Sequence, residues 1–347
     1  MSDLPIRTRE ILEAEEHQRL ASGASFADET RGRAVPIALD PYRTEFQRDR
    51  DRIIHCKAFR RLSHKTQVFL APEGDHYRTR LTHTLEVSQI ARSVARALRL
   101  NEDLTEAISL GHDLGHTPFG HVGEDALTAC YAGIRDRWPG LPDAYHHNVQ
   151  SLRVIDVLEY EGKGLNLTWE VRDGGLNHTG EGRPATLEGA IVRIADRIAY
   201  VNHDIDDALR ARVLSEDDLP TAATEVLGHN HGARIRTMVQ DMIATSDQRD
   251  EIAMSAPVWD AMMALREFLF ERVYLSPRAK VEEPKAFGVV SALFHYYLDA
   301  PGSMPEEYRP AERDALPQSV TDYIAGMTDR YAIRDFETRF VPTSWRM

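Results

Sequence analysis

The sequence predicts an all-α protein, and three observations support this prediction. Apolar residues recur at helical spacing along most of the 347 residues. Alternating, strand-like patterns with hairpin signals are nearly absent, apart from one short candidate at residues 67–70. Clusters of proline and glycine interrupt the periodic segments and mark loops. These loops are expected at 72–74, 139–142, 173–184 and 301–310.

The periodicity assigns the helices in order along the chain. The first are expected at 6–21, 43–62, 80–99, 103–113 and 118–133. The helix at 118–133 is expected to begin at Pro118, because proline is tolerated in a first helical turn. The others are expected at 146–160, 185–211, 232–247, 256–275, 277–298 and, with a break, 317–340. We interpret the chain as an N-terminal helix and loop (1–40), a catalytic core (41–211) and a C-terminal helical extension packed on the core (212–347).

The composition limits the classes of function. Hydrophobic residues make up 42% and charged residues 28%, which is ordinary for a globular protein. No run approaches the roughly 18 apolar residues of a membrane span, and the N-terminus has no apolar signal segment, so a cytoplasmic location is expected. Cys56 and Cys130 are too few for a disulfide framework and fit a reducing compartment. The net charge of -13 argues against nucleic acid as a default partner.

Histidines and acidic residues at helical positions form the main functional signal. His83 shares the apolar face of its predicted helix, so its imidazole points inward and needs a partner. His112 and Asp113 end the next predicted helix, where two adjacent side chains can reach one ion. Asp196 lies in the apolar segment IVRIADRIAY, where a carboxylate without a counter-charge would be costly. These four residues predict the metal site of a metal-dependent phosphohydrolase.

The ligand types also limit the metal. Two imidazoles and two carboxylates leave two positions of an octahedral ion open, which favours Mn, Mg, Fe, Co or Ni over a closed tetrahedral zinc site. We expect one divalent metal ion per active site. A two-metal site would need further histidine ligands, which the sequence alone does not place.

Other histidines near this site are suited to proton transfer or phosphate contact. His121 and Glu124 are three residues apart on one predicted helix, so the carboxylate can raise the pKa of the imidazole, which suits a general acid. His116 precedes the helix break and is placed to touch phosphate. Of His146 and His147, one is expected to face the site and the other the surface.

Two polar features are each open to two interpretations. Residues 41–80 contain ten Lys or Arg against five Asp or Glu, which fits either an anion-binding surface or a solvated, salt-bridged helix face. Arg197, Tyr200 and Asp204 form a polar stripe that runs away from Asp196 along the same predicted helix. This stripe is long enough to follow a ligand, and the alternative is a row of surface ion pairs.

Six segments carry a resemblance to a known family: RDRDRIIHCKAFRRLSHKTQVF, RTRLTHTLEVSQIAR, GHDLGHTPFGHVGE, HHNVQSLRV, IADRIAYVNHDIDD and DYIAGMTDRYA. Over roughly residues 40–340 they resemble the bacterial deoxyguanosinetriphosphate triphosphohydrolase-like proteins, which are HD-domain phosphohydrolases. The resemblance implies an HD-domain helical bundle with a C-terminal helical extension. It also implies hydrolysis of a dNTP, with dGTP among the substrates, to a deoxynucleoside and inorganic triphosphate.

The resemblance assigns a role to each matching residue. It implies as metal ligands His83, His112, Asp113 and Asp196, and as a catalytic dyad His121 with Glu124. It places around the phosphates His116 and His147, the latter because it stands four residues before Ser151. It implies further phosphate contacts from Arg80, Arg197 and Tyr200. It implies contacts with the sugar from Gln67 and from Asp204, the latter at the 3'-hydroxyl.

Two other functions remain open at this point. One is a different HD-domain enzyme, such as a 5'-nucleotidase or a phosphodiesterase, although the cationic set around Arg80 and Arg197 favours a triphosphate. The other is a nucleotide- or DNA-binding regulator with a relic site, against which the intact ligand set argues. A homo-oligomer is expected. A nucleotide or single-stranded DNA effector is left open, because the short chain suggests that insertions of larger relatives are missing.

Overall fold

The computed structural model describes residues 6–67, 78–274 and 279–342. Within these ranges the regular secondary structure is helical, and extended residues pair only in the isolated bridges Arg33 with Thr168 and Thr66 with Thr79. The all-α prediction is therefore confirmed. Of the short strand candidate at 67–70, residues 68–70 lie outside the described residues. No helix of the described ranges combines the length and the low polarity needed to cross a bilayer.

The helices follow one another along the whole chain. The first half contains α1 (Arg9–Arg19), α2 (Glu45–His55), α3 (Lys57–Arg61), α4 (Arg80–Ala97), α5 (Glu102–Gly111), α6 (His121–Ile134), α7 (His147–Arg153) and α8 (Glu159–Gly162). The second half contains α9 (Trp169–Asn177), α10 (Leu187–Arg210), α11 (Thr221–Leu227), α12 (His231–Ser246), α13 (Ala256–Leu269), α14 (Ala279–Asp299), α15 (Leu316–Ala325) and α16 (Asp329–Phe340). Of these, α8 is a single turn, while α7 and α13 continue into π-helical turns over Val154–Leu158 and Phe270–Tyr274.

The structure differs from the predicted helices in three places. The predicted helix at 43–62 is divided at Cys56, whose backbone is extended and whose sulfur accepts the N–H of Phe59. Helix α9 was missed because its glycine pair indicated a loop, yet a Cβ at Gly174 would lie 2.6 Å from Ile108 Cδ1, so glycine there allows close packing on α5. The short helix α11 was also missed. The expected break in the last helix is confirmed between α15 and α16.

Three helices packed side by side position the predicted metal ligands. Helix α4 packs against both α5 and α10. Helix α4 begins at a capping box in which Thr79 accepts the N–H of Thr82, and at the start of α10 the side chain of Thr186 accepts the N–H of Gly189. These caps fix where each helix starts. They therefore help to align His83, near the start of α4, with the end of α5 and with Asp196 in the middle of α10.

The apolar side chains form two hydrophobic clusters. The first contains residues of α2, α4, α5, α9 and α10 together with α11–α13. The second joins α6 to α14–α16. The expected C-terminal extension thus contributes to both clusters, and α6 packs directly against it. The domain boundary at residue 211 stays a prediction.

Candidate active site and metal centre

The structure brings the four predicted metal ligands together. His83 Nε2 lies 3.0 Å from Asp196 Oδ1 and 3.9 Å from Asp113 Oδ2. His112 Nε2 lies 3.3 Å from Asp113 Oδ1 and 3.8 Å from Asp196 Oδ1. The side chains of His83, His112 and Asp113 are almost fully buried, while 21% of the Asp196 side chain is exposed. The site is therefore closed by the protein on most sides and open towards solvent at Asp196.

The protonation of these residues fits a cation. His112 Nδ1 donates to the carbonyl of Ser109 at 2.6 Å, so in the neutral ring Nε2 carries no hydrogen. This Nε2 is buried and has no hydrogen-bond partner. Burial by itself raises the pKa of Asp113, but the neighbouring His112 and His116 hold that pKa well below its ordinary value. An unprotonated nitrogen that faces ionised carboxylates in a buried site is the environment that a divalent metal satisfies.

A tight turn after the His-Asp pair brings α7 into the site. Ser151 accepts the N–H of Gly115 at 2.9 Å and donates to the carbonyl of His112 at 2.7 Å. A Cβ at Gly115 would lie 2.2 Å from the backbone nitrogen of Ser151 and 2.4 Å from the carbonyl oxygen of His147. Only glycine therefore permits this close approach. The approach places His147 beside the metal ligands, whereas His146 is exposed.

Glu124 lies at the centre of a group of imidazoles. Its carboxylate is 2.7 Å from Nδ1 of His116, 3.2 Å from Nδ1 of His147 and 3.8 Å from Nδ1 of His121. The rings of His116 and His147 stack with their centroids 3.9 Å apart. His121 is the first residue of α6, so 76% of its side chain is exposed, while Glu124 faces inward one turn later. The structure thus places the expected dyad side by side, with Glu124 closer to the other two histidines.

The charges in this group are set by burial and mutual contact. Burial raises the pKa of Glu124, but His116 and His147 outweigh it and keep that pKa well below its ordinary value. Burial, with help from Arg80, lowers the pKa of His116 to about 4. Burial would also lower the pKa of His147, yet Glu124 raises it overall. Glu124 is therefore an anion, and His147 protonates more readily than His116.

His178 is a further buried histidine that the sequence analysis did not identify. It caps the C-terminus of α9, where Nδ1 donates to the carbonyl of Gly175 at 2.7 Å. Its Nε2 lies 3.2 Å from Nε2 of His147 and 3.9 Å from Asp113 Oδ1. Burial, together with the nearby His112 and His147, lowers the pKa of His178 to about 3. The sequence predicts a loop for the segment LNHTG, so it gives no reason to expect His178 to point inward. A predicted helix at α9 would have placed His178 at its C-terminal end.

Three of the expected substrate contacts, Arg80, Asp204 and Gln67, have buried polar atoms. Arg80 Nη1 lies 3.1 Å from Asp113 Oδ2, and its side chain is 2% exposed. Asp204 is buried and its Oδ1 has no hydrogen-bond partner, and burial, followed by the charge of Asp207, raises its pKa well above the ordinary value. The side-chain oxygen of Gln67 is also buried without a partner. Unpaired buried acceptors of this kind suit a ligand that brings hydroxyl groups.

The two remaining members of the polar stripe contact the C-terminal helices. The Arg197 guanidinium lies over the ring of Trp259, 5.6 Å from its centroid. Tyr200 is partly buried, and this burial raises its pKa to about 12 although the nearby Arg266 opposes the rise. Both partners belong to α13, so the stripe is covered by protein on one side instead of forming a row of surface ion pairs.

Several basic residues of 41–80 form ion pairs with acidic residues of the same chain. Arg43 pairs with Asp40 and Asp51, and Arg78 pairs with Glu86. Ion pairs also hold Arg48 and Arg50. These contacts support the salt-bridged interpretation for Arg43, Arg48, Arg50 and Arg78. Arg80, in contrast, reaches Asp113.

Two polar side chains tie the C-terminal helices to the site, and neither was expected to do so. Asp329, at the start of α16, accepts the N–H of Phe119 and the N–H of Thr66, both at 2.9 Å, as well as the Thr66 hydroxyl. Lys65 is buried and donates to the carbonyls of His116 and Ala325. Phe119 has a φ of +64°, which is uncommon for a residue with a side chain.

Comparison with known proteins connects this geometry to a family. Residues 80–201 match the HD domain, and residues 252–338 match the phosphohydrolase-associated domain. The chain is 56% identical to a deoxyguanosinetriphosphate triphosphohydrolase-like protein of Caldanaerobacter subterraneus subsp. tengcongensis, and the alignment covers 98% of each chain. It is 47% identical to the protein of the same name from Desulfatibacillum aliphaticivorans, with 96% of this chain and 98% of the other covered.

A solved structure is also similar at the level of the backbone. It is that of a hypothetical protein from Aquifex aeolicus, with a TM-score of 0.40, 17% identity, and coverage of 84% of this chain and 71% of the other. A similarity of this size adds nothing to the functional argument.

Proposed function

The chain belongs to the deoxyguanosinetriphosphate triphosphohydrolase-like family of HD-domain hydrolases, and from this premise we propose that it is a metal-dependent dNTP triphosphohydrolase. The observation that carries the proposal is the position of His116. Its Nε2 lies 3.3 Å from Asp113 Oδ1, and its Nδ1 lies 2.7 Å from Glu124. The imidazole of His116 thus connects the metal ligand Asp113 with Glu124 of the catalytic dyad. We therefore propose that the metal ligands and the dyad act on the same phosphorus.

Each group of site residues has a separate role in the proposed reaction. The proposed substrate is a dNTP, dGTP among them, and water adds to its α-phosphorus while the bond from that phosphorus to the 5'-oxygen breaks. His121 gives a proton to the departing 5'-oxygen. Glu124 orients the neighbouring His116 and His147 and raises the pKa of His147. Arg80, Arg197 and Tyr200, with His116 and His147, bind the phosphates. The products are a deoxynucleoside and inorganic triphosphate.

The metal role follows from the four convergent ligands. One divalent ion, Mn, Mg, Co, Fe or Ni, would be held by His83, His112, Asp113 and Asp196. When bound, it supplies positive charge opposite the phosphate oxygens. Asp113 also contacts Arg80 at 3.1 Å, so this carboxylate holds a phosphate-binding cation next to the metal site.

Sugar selection would rest on the unpaired buried acceptors. Asp204 lies eight residues after Asp196 on α10, about 12 Å along the helix axis at roughly 1.5 Å per residue. This separation suits a carboxyl group that accepts a hydrogen bond from the 3'-hydroxyl while the α-phosphate lies beside the metal ligands. Gln67 would contact the same ring. A pocket closed around it would exclude a 2'-hydroxyl, so deoxynucleotides are expected to be better substrates than ribonucleotides.

Anion-exchange analysis of the products tests the proposal against its rivals. The purified protein is incubated with each of the four dNTPs and with Mn²⁺, Mg²⁺ or Co²⁺ in turn. Release of triphosphate in equal amount to the deoxynucleoside is expected. Release of single phosphates would indicate a nucleotidase, a product made only from a phosphodiester would indicate a phosphodiesterase, and no turnover would favour a nucleotide- or DNA-binding regulator. Asp196→Ala serves as the metal-site control and should release nothing.

Several broader properties belong to the same proposal. A dNTP hydrolase would work in the cytoplasm, where its substrates are. A homo-oligomer is expected, and light scattering of the purified chain measures its size. Adding a second nucleotide or single-stranded DNA to the turnover assay shows whether either acts as an effector.

A further inference from the structure

A cavity of about 550 Å³ lies between α3, the end of α7 and the segment that leads into α15. None of the residues proposed to bind the metal, the phosphates or the sugar lines this cavity. Its wall includes Leu114 and Gly115, which belong to the turn after the His112-Asp113 pair. A volume of this size is in the usual range for a small-molecule site. The cavity is therefore a candidate binding site that is distinct from the proposed active site.

Two cationic side chains in the wall of the cavity have no acidic partner. Lys65 is 3% exposed and donates to the carbonyls of His116 and Ala325, which leaves one of the three N–H groups of its ammonium unused. Arg61 is half-buried, and neither side chain forms an ion pair with a carboxylate of the described residues. Burial, followed by the charge of Arg61, lowers the pKa of Lys65 to about 7. An anion in the cavity would supply the missing counter-charge.

The acidic residues around the cavity do not neutralise these two cations. The Glu159 carboxylate accepts two backbone N–H groups at the start of α3, at 3.0 and 2.7 Å. Asp322 pairs with Arg153 at 2.6 Å. The other acidic side chains of the wall are exposed, so solvent screens their charge; they are Glu161, Glu307 and Glu312. The inner part of the cavity is therefore cationic.

An apolar surface adjoins the two cations. Val154, Val157 and Leu158 line the cavity from the π-helical turn that follows α7. At the mouth, 39% of Val157 and 47% of Tyr160 are exposed. Tyr160 has a φ of +50° and Glu161 a φ of +59°, which residues with a side chain rarely adopt and which often marks a ligand site. A ligand with an apolar body would cover these exposed side chains.

We propose that this cavity binds a small organic anion, with its single acidic group on Lys65 and Arg61 and its apolar body on Val157 and Tyr160. The acidic group is a carboxylate or a phosphate monoester, because both accept charge-assisted hydrogen bonds from ammonium and guanidinium groups. A nucleoside triphosphate suits the cavity less well, because its several negative charges exceed the two inner cations and would lie beside the acidic rim.

Lys65 connects this cavity with the proposed active site. The same ammonium that would pair with the anion donates to the carbonyl of His116. A bound anion is therefore expected to change the rate of triphosphate release. This consequence alone rests on the proposed function, whereas binding of the anion does not depend on it.

Displacement of the dye anilinonaphthalene sulfonate tests the site without any substrate. The dye is itself an aromatic anion, and its fluorescence rises in an apolar site. Octanoate and phenyl phosphate are the competitors, and acetate and inorganic phosphate are controls that lack an apolar body. We expect octanoate or phenyl phosphate to displace the dye, and the one that acts at the lower concentration identifies the acidic group.

Variants locate the binding in the cavity. Arg61→Gln is expected to weaken binding of the better competitor on the order of tenfold or more, and Arg61→Lys to keep most of it. Arg236→Gln is the matched control, because Arg236 is exposed on α12 and does not line the cavity. Ala315→Trp places an indole in the cavity wall and should also weaken binding, which keeps the test decisive if Arg61→Gln does not fold.

Four results would overturn parts of this inference. Unchanged displacement in both Arg61→Gln and Ala315→Trp places the ligand elsewhere. Acetate and inorganic phosphate that act at the same concentrations as octanoate remove the role of the apolar wall. Displacement by dGTP that depends on Arg61 and needs less ligand than either organic anion replaces the proposed ligand with a nucleotide. An unchanged rate of triphosphate release at a saturating concentration of the better competitor removes the connection through Lys65.

Discussion

Replacing Asp329 with alanine is expected to slow turnover without removing the metal. Asp329 is 5% exposed and accepts three hydrogen bonds, from Phe119 N–H, Thr66 N–H and the Thr66 hydroxyl. Hydrogen bonds to a charged group contribute roughly 1.5–3 kcal/mol each. The three bonds together would contribute about 4.5–9 kcal/mol, but Thr66 is half-buried and water can replace part of its loss. We therefore expect a loss of about 2–4 kcal/mol in the free energy of unfolding.

The effect on turnover follows from the position of Phe119. Its φ of +64° costs about 1–2 kcal/mol, so the segment relaxes when Asp329 no longer holds its N–H. This segment joins His116 to His121, and Thr66 precedes Gln67. A displacement of about 1 Å in such groups can lower kcat on the order of a hundredfold. The metal ligands lie on other helices, so metal content should be unchanged.

The assay combines urea unfolding, elemental analysis and steady-state triphosphate release. Asp335→Ala is the matched control, because Asp335 lies on the same helix, accepts the Tyr297 hydroxyl and pairs with Arg339 at 3.0 Å, away from the site. It should lose stability and keep its kcat. Asp329→Asn retains one of the two acceptor oxygens and should give an intermediate kcat. The reasoning is refuted if Asp329→Ala turns over at the parental rate, or if Asp335→Ala slows turnover equally.

Three further predictions concern the site itself. His121→Ala and Glu124→Ala should keep the metal but lower kcat on the order of a hundredfold or more, as expected for lost acid–base help. Kinetics with metal analysis check this, and parental turnover in His121→Ala would remove its general-acid role. Asp204→Ala should raise KM and lower kcat, because the sugar no longer fixes the α-phosphate. Comparison of dGTP, GTP and 3'-deoxy-dGTP checks this, and an unchanged rate for the 3'-deoxy analogue would place Asp204 outside the sugar site. The metal-free protein should lose stability as the pH falls from about 6.5 towards 4, because burial lowers the pKa of His116 to about 4 and that of His178 to about 3. The unfolded chain then takes up protons first, so each histidine removes about 1.4 kcal/mol of stability per pH unit below 6.5, or about 2 kcal/mol by pH 5. Urea midpoints at pH 7 and pH 5 measure this loss, and equal midpoints would contradict it.

The sequence by itself determined the fold class and the expected metal ligands. Helical periodicity is a local property, so the major helices were predictable from neighbouring residues. His83 and the His112-Asp113 pair were identifiable because each lies at a defined position on a strongly periodic helix. Asp196 was identifiable because a carboxylate inside an apolar helical stripe requires a counter-charge. Their convergence to within 4 Å follows from α4 packing between α5 and α10.

The tertiary structure alone decided which residues surround those ligands. His178 lies near Asp113 because Gly174 allows α9 to pack closely on α5. Asp329 and Lys65 contact the segment around His116 across more than fifty residues of sequence, through polar contacts that leave no periodic pattern. The exposure of His121 and the inward direction of Glu124 depend on where α6 starts. Local patterns determine which face of a helix is buried, but the partners of a buried polar group are set by the packing of distant segments.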